Sequence, residues 1–163
     1  MANAIRSFRD LDVWQCGMDL VLLVYDVSDY LPDAERFGLR SQMRRAVVSI
    51  PSNVAEGHAF RIKPKAYTRY VRIAIGSLAE LETHIEIALR LKFLKVVNLR
   101  NTLRTIERTG QLLHGLLRAL TLRKTRPSQC CVQRGRARVS RRIAVKRSRR
   151  SRPVKSRPSG ARH

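Results

Sequence analysis

Glu80 and Glu82, with His84 close behind, and Asn53 with Glu56 three residues on, are the residues whose types could carry acid–base chemistry. Paired carboxylates can act as general acid and general base. Here they have no attendant nucleophile, and His58, His84, His114 and His163 are scattered along the chain. A di-iron bundle site needs Glu-x-x-His pairs, whereas His84 follows Glu82 at a spacing of two. No phosphate-loop or dinucleotide glycine motif is present. Cys16, Cys130 and Cys131 are an odd set, and the adjacent pair is poorly placed for a disulfide. None has C-x-x-C metal-ligand spacing. The expectation is a protein that is not an enzyme and has no metal or cofactor. Asn53, Glu56, Glu80 and Glu82 are then read as a polar network at a helix interface.

The basic residues are more suggestive. Arg61, Lys63, Lys65, Arg69 and Arg72 crowd one connector and the helix start after it. Arg69 and Arg72 are three apart and share a helix face. Two readings stay open for this cluster: a solvated charged surface, or a nucleic-acid contact that becomes a positive belt if the protomer is repeated around a ring. Arg44 and Arg45 are also candidates for phosphate. Adjacent residues lie about 100° apart on a helix, so both cannot face one partner equally, and an ion pair within the assembly is the competing role. Tyr67 and Tyr70 could stack on bases, but their helical spacing favours core packing. Across the chain, residues 1–122 hold 18 of the 34 Lys/Arg and all 12 Asp/Glu, while residues 123–163 hold the other 16 Lys/Arg and no acid. Such a balance favours polyanions, nucleic acid before an anionic membrane.

Four helical repeats position these residues. The first is read from Leu11 to Tyr30, with Leu11, Trp14, Met18, Val21 and Tyr25 on one face. Leu31-Pro32 ends it. The second is read from Glu35 to His58, with Leu39, Met43, Ala46, Val47, Ile50 and Val54 on its core face. Pro51 should kink it, with Ser49 and Ser52 placed to satisfy backbone groups set free, and Gly57 should stop it. The third starts at Pro64, a residue suited to a first helical turn, and runs to Lys92 on Val71, Ala74, Leu78, Leu81, Ile85 and Ala88. Ala74, Gly76 and Ser77 are small enough to admit a neighbouring helix. The fourth runs from Val97 to Leu122 on Leu99, Leu103, Ile106, Gly110, Leu113, Leu117 and Leu120.

Short connections and near-heptad repeats predict an all-α fold, an antiparallel up-down four-helix bundle over residues 8–122. From residue 123 the apolar repeat stops, and the Arg-rich composition predicts a disordered basic C-terminal tail over residues 123–163. The start of the chain lacks the apolar run of a signal peptide, and no apolar stretch approaches the roughly 20 residues that span a bilayer. A cytoplasmic protein with no membrane association is expected. Val48, Ile73, Ile87, Leu112 and Leu116 are apolar residues outside the core stripes, and such surplus points to a homo-oligomer.

Several motifs resemble one family. Phe8-x-x-Leu11-x-Val13-Trp14 precedes the first helix. The run from Phe37 to Gly57 reads FGLRSQMRRAVVSIPSNVAEG, followed by Tyr67-x-Arg69-Tyr70 and by Ile73-Ala74-x-Gly76-Ser77-Leu78-x-Glu80-Leu81-Glu82. Together they resemble the four-helix-bundle proteins encoded in intervening sequences of bacterial 23S ribosomal RNA genes. The resemblance implies a four-helix protomer assembled into a ring, with a homopentamer as the family expectation. A related branch contains the accessory protein of diversity-generating retroelements, a basic pentamer working with a reverse transcriptase and its RNA. It therefore implies RNA or DNA, and a reverse transcriptase, as candidate partners. The chain departs from the family pattern in three places. Phe60 is an extra residue in the connector after Gly57. Lys63 and Ala66 replace the usual Ser/Thr cap and acid that open the third helix. The basic tail extends past the family's usual end, and two origins are open for it: a selected arm, or out-of-frame reading of G+C-rich DNA.

Overall fold

The computed structural model describes residues 6–122; the tail predicted over residues 123–163 lies outside the described residues. Four helices make the fold: α1 (Asp12–Ser28), α2 (Leu39–Ala59), α3 (Pro64–Arg90) and α4 (Val96–Leu122). Each packs on its neighbour in sequence, and α4 closes back against α1, which is the antiparallel up-down four-helix bundle. No β-strand occurs among the described residues. Leu20, Met43, Ile50, Leu81, Leu99 and Leu113 are the largest wholly buried side chains, so all four helices feed one core.

The core faces of α2 and α3 are those expected from their repeats: Met43, Ala46, Val47, Ile50 and Val54 on one, Val71 through Ala88 on the other. On α4, Leu99, Ile106, Leu113 and Leu120 are buried, while Leu103 is exposed. On α1 the expected face holds in part: Leu11 is buried and Trp14 and Val21 pack against the core, but the centre of the buried face lies one position away. Val13, Gly17, Leu20, Val24 and Val27 are buried, whereas Met18 and Tyr25 keep 39% of their surface open. Asp12, Gln15, Asp19 and Asp26 mark one exposed side of α1, and the apolar residues round the rest of the helix are numerous enough for two stripes of equal spacing. The close approach of α2 selects one of them: at Gly17 a Cβ would lie 3.5 Å from Cβ of the buried Pro51.

The helix ends also differ from expectation. A 3-10 turn, Asp33–Glu35, precedes α2, and the α-helix begins only at Leu39, whose N–H donates to Oε2 of Glu35 at 2.9 Å. Helix α2 runs unbroken through Pro51, and Ser52 Oγ donates to the Val48 carbonyl at 2.8 Å. Gly57 is not a stop, since α2 continues to Ala59. Its role is steric: a Cβ there would stand 2.6 Å from Cδ2 of Tyr67 and 3.0 Å from Cβ of Tyr70. Helix α3 ends at Arg90. Lys92 adopts φ 61°, with its N–H on the Leu89 carbonyl and that of Phe93 on the Ala88 carbonyl, both at 2.9 Å. That pairing is a Schellman motif with a lysine in the position that favours glycine.

Candidate nucleic-acid interface

The chain from the end of α2 to the third turn of α3 places five cations at one end of the bundle. Arg61, Lys63, Lys65, Arg69 and Arg72 are all exposed, and none forms an ion pair with another described residue. Lys63 is the N-cap of α3 and supplies no side-chain cap, and Pro64 takes the first helical position. The start of α3 therefore has no side-chain cap, and the positive end of the helix dipole stays open beside the cluster. Lys65, Arg69 and Arg72 line a groove of about 370 Å³ between the start of α3 and the end of α4, together with Thr68, Ile73 and Thr121. Thr68 donates to the Pro64 carbonyl at 2.7 Å and Thr121 to that of Leu117 at 3.0 Å, so both hydroxyls are tied to their own helices.

Charge is segregated along α3. Its first three turns carry Lys65, Arg69 and Arg72 and no acid, while Glu80, Glu82 and Glu86 fall in its second half. Glu82, Glu86 and Glu107 rim a second groove of about 330 Å³, which has Leu89 and Leu103 in its lining. The second groove is rimmed by carboxylates, but Arg90, which pairs with Glu86, and arginines of α4 accompany them, so what sets the start of α3 apart is cations without any acid beside them. Such a cluster makes a local positive field.

The aromatic residues of this corner divide. Tyr67 is buried at 4% exposure, and burial pushes its hydroxyl above the ordinary value. Its ring meets that of His58 edge-on at 6.3 Å. His58 is itself buried, and desolvation, with the nearby Arg61 adding to it, lowers its pKa; Asp10 opposes weakly. Tyr70 is half-buried and stacks on Phe60, with centroids 5.6 Å apart and planes 4° from parallel.

The other residues singled out from the sequence lie elsewhere. Arg44 is engaged within its own protomer. Its Nε donates to Ser28 Oγ at 2.8 Å, it pairs with Asp29 at 2.5 Å, and its guanidinium lies 4.6 Å from the centre of the Tyr25 ring. Arg40, which sequence reasoning passed over, joins it by donating to the Leu31 carbonyl and pairing with Asp33 at 3.6 Å. Arg44 fastens the C-terminal end of α1 to α2, where a cation suits the helix dipole, and Arg40 fastens the connector that follows. Arg45 is exposed. Asn53 belongs to a polar chain across the α2–α3 seam: its amide donates to the Ser49 carbonyl at 2.8 Å and to Ser49 Oγ at 2.9 Å. Ser49 Oγ meets Ser77 Oγ at 2.8 Å. Glu56 and Glu80 stand outside this chain, so the network expected of them is made by the serines instead. Gly76 is exposed, and a Cβ there would have no atom within 4 Å.

A further basic stripe went unnoticed in the sequence. Arg100, Arg104 and Arg108 are exposed on α4 at steps of four, the spacing that keeps side chains on one helix face. That spacing was the available signal.

Residues 9–115 match the family described as 23S rRNA-intervening sequence protein. This chain belongs to that family. The match runs from the turn before α1 deep into α4, so it takes in all four helices and the whole basic connector. No curated protein matches it individually. Among the described residues of this 23S rRNA-intervening sequence protein, no group of three or more His, Cys, Asp or Glu is placed to hold a metal ion. No helix among them is long and apolar enough to cross a membrane.

Proposed function

We propose that this member of the 23S rRNA-intervening sequence protein family is a non-enzymatic, oligomeric binding protein that takes hold of nucleic acid through the basic end of its α3–α4 seam. The observation that carries the reading is the set of five exposed cations, Arg61, Lys63, Lys65, Arg69 and Arg72, none of them paired with a described carboxylate, of which Lys65, Arg69 and Arg72 line a groove. Unpaired cations gathered on one face repel one another, and a polyanion relieves that repulsion while releasing its own counterions. Arg44 is left out of the surface, because its guanidinium is already held by Ser28 and Asp29.

The test compares the full chain with a variant carrying all five residues changed to Gln. The 16 basic residues beyond position 122 are present in both proteins and bind polyanions equally in both. The difference therefore isolates the cluster. On single strands, each cation that neutralises a phosphate adds about 0.7 to the steepness of log K against log salt, so the five-fold variant should be shallower by about 3.5. Equal slopes and affinities for the two proteins would overturn the reading.

Self-association is the second part of the proposal. Val48, Ile73 and Ile87 are exposed at 40%, 42% and 41%, so three of the five surplus apolar residues stand open on the protomer. Leu112 and Leu116 instead pack against the protomer's own core. Met18, Leu22 and Tyr25 add a second open apolar stripe, on α1. A homo-oligomer, with a pentamer as the family expectation, would cover them, and a protein partner such as a reverse transcriptase could use whichever face remains.

A further inference from the structure

The outer face of α3 is patterned beyond the groove at its start. Lys65, Arg69, Arg72, Gly76, Glu80, Thr83 and Ile87 are all exposed, and they follow one another at steps of 4, 3, 4, 4, 3 and 4. At 100° per residue such steps hold all seven within about 80° of arc, on a single side of the helix. The stripe is centred on Gly76. Arg72 and Glu80 lie four residues to either side of it, Arg69 and Thr83 seven, and Lys65 and Ile87 eleven. A Cβ at Gly76 would meet no atom of another described segment within 4 Å. Ile87 keeps 41% of its surface open, and Ile73, three residues before the glycine, keeps 42%.

We infer that a second copy of this chain docks its α3 antiparallel on this stripe, about a two-fold axis at Gly76, so that Arg72 of each copy faces Glu80 of the other. This rests on the self-association reading and names the contact.

A two-fold antiparallel contact sets each position of the stripe against its mirror position across Gly76. Both Arg72–Glu80 encounters therefore form at once, and Lys65 comes beside Ile87 and Glu86 of the other copy. Glu86 already pairs with Arg90 of its own helix at 2.7 Å, and Glu82 lines the groove toward α4. Glu80 has no ion pair among the described residues, so it is the carboxylate left for the arginines. Lys65 stands in the first turn of α3, which holds no acid, so its charge opposes the dipole of its own helix. An antiparallel partner reverses that, because the negative end of its α3 lies on the side of Lys65. A glycine weakens the helix that contains it, and here it removes the side chain at the point where two axes would come closest, with Ile73 and Ile87 left to be covered. A polyanion uses only the basic half of the stripe, whereas a second copy uses Gly76, Glu80 and Ile87 as well. The contact is isologous, so it leaves the open α1 residues Met18, Leu22 and Tyr25 for the heterologous contacts that close a ring.

Charge exchange in the full chain, followed by sedimentation at about 0.15 M salt, tests the contact. Arg72→Glu and Glu80→Arg each set like charges opposite one another, and each should sediment as a smaller species than wild type. The two variants mixed in equal amounts should regain the wild-type species, and so should a single chain carrying both changes. Residues 72 and 80 are about 12 Å apart along the helix, so that recovery cannot come from a pair within one copy. Circular dichroism verifies that each variant is folded. If either single variant sediments as wild type does, or if the mixture or the double variant fails to recover, the two-fold contact is refuted and self-association stands. A wild type that sediments as a monomer at micromolar concentration refutes self-association itself, and the contact with it. Glu80→Arg keeps all five cations, so smaller assemblies that still bind a single-stranded oligonucleotide would separate this contact from the nucleic-acid surface.

Discussion

An alanine methyl at Gly57 would stand 2.6 Å from a ring carbon of Tyr67, inside any real contact distance, and 3.0 Å from Cβ of Tyr70. Tyr67 is buried and cannot swing away, so the corner where α2 hands over to α3 must open instead. Gly57→Ala should destabilise the fold by about 1–3 kcal/mol, the usual cost of overpacking, read as a lower urea midpoint. An unchanged midpoint would mean that the two helices are further apart in solution. His58 sits in the same corner and gives it a pH dependence. Burial and Arg61 hold its pKa below the ordinary 6.5, with Asp10 opposing. The unfolded chain therefore takes up the proton first as pH falls. The stability contributed by neutral His58 is complete above about 6.5 and is lost as pH drops toward the folded-state value. Urea midpoints at pH 7.5 and 5.5 should differ for wild type, and the difference should shrink in His58→Phe, which keeps a ring against Tyr67. The same pH effect in both proteins would assign it to another group.

At the scale of the helix, the α3–α4 turn carries a lysine where the backbone favours glycine. Lys92 has φ 61°, and its Cβ crowds the following carbonyl in that conformation, at a cost of about 1–2 kcal/mol. The Schellman hydrogen bonds of residues 92 and 93 require the conformation all the same. Lys92→Gly removes the crowding but frees the unfolded chain, so a net stabilisation of about 0.5–1 kcal/mol is expected. A thermal midpoint that falls would show the turn to be formed differently. The lysine also explains why sequence reasoning carried α3 two residues too far, since no glycine marks the stop. The converse happened at Gly57, a glycine that looks like a stop and is a packing device.

Over the whole molecule, Gly76 is the informative position. It lies inside α3, it is exposed, and a Cβ there would meet no atom of another described segment within 4 Å. A glycine inside a helix costs about 0.8–1 kcal/mol relative to alanine, and nothing within the protomer offsets that cost. A second copy approaching α3 at this point would account for it. Gly76→Ala should raise the stability of the dissociated protomer by about that amount. Gly76→Leu should leave the protomer folded and shift sedimentation toward the monomer. A wild-type protein that sediments as a monomer at micromolar concentration would refute the oligomer, and a Gly76→Leu protein that assembles normally would move the interface elsewhere.

The all-α class, the four helices, their order and the core faces of α2 and α3 follow from the sequence, because a 3-4 repeat in an otherwise polar helix leaves only one face to bury. The cation cluster is legible for the same kind of reason: Arg61 to Arg72 are local in sequence, and a connector joined to a helix start keeps them together. The buried side of α1 was decided by tertiary structure. Apart from the exposed side marked by Asp12, Gln15, Asp19 and Asp26 its residues are largely apolar, and the choice between the Val13–Val27 stripe and the Trp14–Tyr25 stripe depended on where α2 brings Pro51 against Gly17. Tertiary packing also engaged Arg44 within the protomer, by placing Asp29 and Ser28, 15 and 16 residues away, within reach of its guanidinium. It divided the tyrosines as well. Tyr67 goes under Gly57 into the core, while Tyr70 meets Phe60 across the α2–α3 corner. The helical spacing of Tyr67, four residues before Val71, already favours the core, but local spacing does not record the partners of Arg44 and Tyr70, because each is fixed by a contact between segments whose relative placement only the folded chain sets.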